Sequence, residues 1–141
     1  METQASTAAP TLSPSDVAAA LIYFTNRRFL WSDPHRLHRA ILVARDVCPL
    51  LRQHFGFSHT GVNPISRSFD DALGVLKLSR IVRMENTDYT RYIIDDKARE
   101  YVEAEILPTL DTTDREDLQK AAAIIREACG SIESDSPVMT P

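Results

Sequence analysis

His35 and His38 stand three residues apart, a spacing that puts two imidazoles on one face of a helix, where such a pair can hold a metal ion. His54 and His59 follow further along. No Cys or acid completes a ligand set at the usual spacing, and Arg36 and Arg39 beside the pair would repel a cation. The two histidines therefore read as surface or interface polarity, and no metal is expected. The acids offer no stronger chemistry. Asp70-Asp71 and Asp95-Asp96 are neighbours in sequence, so on a helix the two carboxyls of each pair diverge. A general acid–base dyad needs carboxyls that converge across a substrate. There is no G-x-S-x-G, no H-E-x-x-H and no Gly-rich phosphate loop, in a chain with only four glycines. An enzyme is not expected, and neither is a cofactor. Cys48 and Cys129 have no framework spacing and read as reduced packing residues.

What remains is arginine. Of the 16 basic residues 13 are Arg, whose planar fork suits phosphate or carboxylate. The charge is unevenly placed. Residues 1–99 hold 13 basic and 10 acidic residues, giving +3, and residues 100–141 hold 3 and 10, giving −7, for the net −4 of the 141-residue chain. A mildly basic body is followed by an acidic tail.

The elements that must position these groups can be read from caps and periodicity. Ser13-Pro14-Ser15-Asp16 supplies an N-cap, a proline at the first helical position and a first-turn acid, so a helix is predicted from Pro14 to about Asn26. Val17, Ala20, Leu21 and Phe24 form its apolar face, wide enough for a core or a dimer contact. Ser32-Asp33-Pro34 opens a second helix carrying Leu37, Ile41, Ala44, Val47 and Leu51, with Pro49 expected to kink or restart it. Asn63-Pro64 is read as the start of a third, with Ile65, Phe69, Ala72, Leu73 and Leu76 inward. RIVRM and YTRYII, joined by Glu85-Asn86-Thr87-Asp88, predict a hairpin. Asp95-Asp96 opens a helix with Ala98, Tyr101, Val102 and Ile106 inward, and Pro108 stops it. Thr113 and Glu116 make a capping box for a last helix ending at Gly130.

The run SRSFDDALGVLKLSRIV…YTRYIIDDKAREYV, in this order of helix, helix, helix and hairpin, resembles winged-helix DNA-binding domains, which are helix-turn-helix variants. It departs from the common pattern at Leu78-Ser79-Arg80, where a glycine is usual, and at Asp95-Asp96, where threonine is usual. More distantly, IYFTN…LHRAILVA…PISRSFDDAL is similar to Panacea-type antitoxin-like regulators. The resemblance implies a winged helix-turn-helix, and with the other elements the fold is expected to be mainly α with a small β-hairpin and two C-terminal helices: a winged-helix domain over 13–107 and a C-terminal helix over 108–130, between tails over 1–12 and 131–141 whose composition reads as disordered. It implies double-stranded DNA as the partner, with the third helix in the major groove and the wing on the backbone. Asn63, Ser66, Arg67, Asp70 and Lys77 would then face DNA, with Arg80, Arg83 and Arg91 in or beside the wing. Asp70, Asp71, Glu85 and Asp88 oppose this, and a protein partner in place of DNA is the alternative.

Leu118, Ala122, Ile125 and Cys129 repeat at steps of 4, 3 and 4, a short heptad-like seam that suits a homodimer interface or the chain's own core. No apolar run approaches the ~20 residues of a membrane span, and no basic-then-apolar leader opens the sequence, so a small cytoplasmic transcriptional regulator is the expectation.

Overall fold

The computed structural model describes residues 12–25, 29–58, 64–86 and 90–129. The expected tails, save Leu12, lie outside these residues, as do Asn63, His59, Asp88 and Gly130. The chain is mainly helical, with one small antiparallel sheet.

Helix α1 (Pro14–Phe24) starts as its cap residues dictate. Ser13 Oγ accepts from the Asp16 N–H at 3.1 Å, and the Asp16 carboxylate accepts from the Ser13 N–H at 3.3 Å. Six consecutive residues, Val17 to Ile22, are buried, so α1 is enclosed on all sides. A helix apolar all round belongs in a core, and α1 packs against the later helical segments 49–54, 67–78, 102–106 and 112–129. Its wide apolar face is a core feature, not a dimer contact. It stops at Thr25, whose hydroxyl donates to the Ile22 carbonyl.

Strand β1 (Phe29–Ser32) follows, then α2 (Pro34–Ala44), capped by Asp33 through the Arg36 N–H at 2.7 Å. Pro49 acts as expected: α2 tightens into a 3-10 turn over Arg45–Val47, Cys48 is extended at φ −140°, and α3 (Pro49–His54) restarts. Helix α4 (Arg67–Leu78) begins later than Asn63-Pro64 suggested. The reason is a bridge between Ser58 and Ile65, which keeps Ile65 extended and passes the cap to Ser66. Ile65 is accordingly only half-buried.

The hairpin pairs β2 (Arg83–Asn86) with β3 (Thr90–Ile93), Arg83 opposite Ile93 and Glu85 opposite Arg91. Glu85 and Asn86 thus lie in a strand instead of the turn. β1 also pairs with β3, Phe29 opposite Ile93, so the strand order is β1-β3-β2. Helix α5 (Asp96–Tyr101), capped by Asp95, runs on through a π turn at Val102–Ile106 and a 3-10 turn at Leu107–Thr109. Tyr101, expected inward, is 44 % exposed.

Helix α6 (Thr112–Cys129) starts earlier than the Thr113 box implied, because Asp111 is the cap: its carboxylate accepts from the Asp114 N–H at 2.7 Å. α6 packs on α1, α2, α3 and β1, and its apolar side chains belong to the same buried cluster as those of α1 and α4. The expected boundary near residue 107 is therefore not a break in the core. Arg126 donates to the Thr25 carbonyl at 3.1 Å, tying the end of α6 to the end of α1. Among the described residues no helix is long and apolar enough to cross a membrane.

Candidate nucleic-acid interface

Helix α4 owes its placement to a buried imidazole. His38 is enclosed, its ring meeting the rings of Phe57 and Phe69 edge to face, with centroids 6.3 and 5.6 Å away. Its Nδ1 accepts the Ser66 N–H at 3.0 Å. A backbone N–H can only donate, so the ring proton sits on Nε2, which donates to Asp70 Oδ1 at 2.8 Å. One side chain of α2 therefore holds both the cap and the first turn of α4. His35 is exposed while His38 is buried, so the two do not share a solvent face, and both nitrogens of His38 are engaged. This leaves His38 no lone pair for a metal or for a substrate proton.

The same contacts reassign Ser66. It is wholly buried, and its Oγ accepts from the Phe69 N–H at 3.2 Å. It caps α4 and cannot reach DNA. Asp70 also changes character. Its side chain remains 56 % exposed, yet one carboxylate oxygen is turned onto His38.

Of the other expected contact residues, Arg67 is exposed at the first position of α4, Lys77 is exposed in its last turn, and Arg83 is exposed on β2. Arg91 lies in β3 opposite Glu85. Asn63 is outside the described residues. Arg80 is exposed in the turn after α4, at φ 63°. Around it the Ile81 N–H reaches the Leu76 carbonyl at 2.9 Å and the Arg80 N–H reaches that of Lys77 at 3.1 Å. This is a Schellman termination, with arginine in the left-handed position that glycine occupies without strain. The chirality cost there is roughly 1–2 kcal/mol. It accounts for the missing glycine of Leu78-Ser79-Arg80.

The solvent face of α4 also bears Asp71 and two apolar residues the charge reading overlooked: Val75, 48 % exposed, and Leu78, 87 % exposed. Between α2, α4 and the sheet lies a small cleft of about 210 Å³ lined by His38, Asp70, Lys77 and Tyr92 among others. Burial first, and the nearby Cys129, Asp70 and Asp33 after it, push the Tyr92 phenol well above its ordinary value. It stays protonated at neutral pH.

The seam of Leu118, Ala122, Ile125 and Cys129 is turned into the chain's own core and is entirely covered there. As a homodimer interface it is corrected: these four side chains already have their partners on other helices of the same chain. No family model, curated protein or solved structure matches the chain.

Proposed function

We propose that the chain is a winged-helix protein that binds double-stranded DNA, with α4 as the groove helix and the β2–β3 hairpin as the wing. The supporting observation is the element order. Helices α1, α2 and α4, with β1 between the first two and the short α3 between the last two, precede a hairpin; β1 extends that hairpin into a three-stranded sheet, and α4 exposes Arg67 at its N-terminal turn. Lys77 and Arg83 add cations on α4 and on the first strand of the hairpin. Turning Asp70 toward His38 weakens one of the four acids that oppose a phosphate backbone. A regulator that reads paired half-sites needs two copies, and the surface joining them is one other than the buried α6 seam.

Fluorescence anisotropy with a labelled duplex, over a series of salt concentrations, tests this. Phosphate contacts make log K fall with log salt. Arg67→Ala and Arg83→Ala should each weaken binding and lower the salt slope by about 1. A slope and affinity unchanged in both variants, or no binding at low salt, rejects the reading.

A second reading has its own observation. Val75 and Leu78 on the exposed face of α4 suit a protein surface better than a phosphate backbone. Under it, the protein co-purifies with a stoichiometric partner and no nucleic acid, and Leu78→Asp releases that partner.

A further inference from the structure

The left-handed arginine of the α4–β2 turn opens onto a cleft at the opposite end of α4 from Arg67. The cleft holds about 440 Å³, within the roughly 300–1,000 Å³ of small-ligand sites. Arg80 and Lys97 line it from two elements, together with Ile81, Ala98, Tyr101 and Asp95. Asp95 is committed to capping α5, accepting from the Ala98 N–H at 2.9 Å. Among the described residues neither Arg80 nor Lys97 is in an ion pair. Tyr101 contributes a ring that is 44 % exposed, and Ala98 is the buried residue of α5.

We propose that this cleft binds a nucleoside phosphate, the two cations taking the phosphate and Tyr101 with Ile81 and Ala98 taking the flat base. Two chemistries meet here. A guanidinium fork and an ammonium from separate elements suit the doubly charged oxygens of a phosphate monoester. An exposed phenol ring beside two apolar side chains is a stacking platform for a base, a contact tolerant of base identity. The backbone supplies a third argument. Glycine would end α4 with less strain than arginine, so the arginine at φ 63° costs local stability, and strained residues of this kind cluster at ligand sites. The phosphate monoester can be that of a free mononucleotide or of a strand end.

The test uses the full chain, followed by amide chemical shifts. AMP should move the resonances of Ser79 to Ile81 and Lys97 to Ala98, with adenosine and inorganic phosphate each binding at least tenfold more weakly. Arg80→Gly should raise the melting temperature and weaken AMP binding at least tenfold, so loss of the site cannot be mistaken for loss of the fold. A 5′-phosphorylated tetranucleotide that binds more tightly than AMP, while its unphosphorylated form does not, upholds the site and assigns it to strand ends. Absence of shifts at millimolar AMP and with the phosphorylated tetranucleotide overturns the proposal. So does AMP affinity that survives Arg80→Gly unchanged.

Discussion

His38 joins α2 to α4 through both of its nitrogens, and its ring is buried against Phe57 and Phe69, so the Ser66 N–H that it accepts is out of reach of water. Removing the imidazole strands the buried Ser66 N–H, which costs about 1–3 kcal/mol, and a cavity adds to that. His38→Ala should therefore lower the unfolding free energy by about 3 kcal/mol in urea titrations, whereas Asp70→Asn, which keeps a carbonyl acceptor for Nε2–H, should cost under about 1 kcal/mol. Equal small losses from both would show that the imidazole does not hold α4. Arg80→Gly is expected to move the same titration the other way, by about 1 kcal/mol, because it removes a left-handed arginine. Sequence reasoning could see the anomaly at Leu78-Ser79-Arg80, since a helix stop without glycine is visible in one line of residues. It could not see His38. The spacing to His35 is local, but the partners that decide the role lie at Ser66 and Asp70, on another helix. Ser66 was misread for the same reason: a serine before a helix suits a cap and a phosphate contact equally until its burial is known.

Helix α6 shows what periodicity carries at the scale of an element. The 4-3-4 spacing of Leu118, Ala122, Ile125 and Cys129 announced a helix and its apolar face, and the helix is there. An apolar stripe reads the same whether it meets another helix of its own chain or a second copy, so its partners were illegible. Packing within the chain makes a definite prediction. Leu118→Ala should cost about 2–5 kcal/mol, and the loss should not depend on protein concentration. A loss that grows on dilution would return the seam to an interface between chains. Strand β1 was missed because four residues are too short for alternation to register against the neighbouring helices. Its only local hint was the apolar and aromatic run Phe29-Leu30-Trp31 between two helices. The start of α4 moved to Ser66 because the Ser58–Ile65 bridge joins segments that no local pattern relates.

At the scale of the molecule, the order of helices and the hairpin was legible, since each has its own caps and breakers; the closure of the sheet by β1 and of the core by α6 was not, since both are long-range. The closed core has a titration consequence. Burial raises the Cys48 thiol above its ordinary value, outweighing the backbone N–H groups of Leu51 and Leu50 that lower it. Burial likewise raises the phenols of Tyr92 and, with its bond to Glu103, of Tyr23. In each case the unfolded chain ionises first, so these groups favour the folded state below their unfolded values and the benefit is lost as pH rises. The unfolding free energy, measured in urea at successive pH values, should be level near neutrality and fall from about pH 8.5, the ordinary thiol value. Cys48→Ala should delay the onset toward the phenol range near pH 10; an unchanged onset would remove the thiol from the account. One further consequence follows from the place of α6 in the chain. Leu118, Ala121, Ala122, Ile125 and Cys129 complete the core around α1, yet they belong to the last of the described helices to be made. While the ribosome is still adding them, α1 lacks its cover, and its Val17–Ile22 stretch is open to chaperones or to another nascent chain. Closure of this core must therefore wait until α6 has been made, and a stop codon before Leu118 should leave α1 uncovered and the chain unable to complete the core.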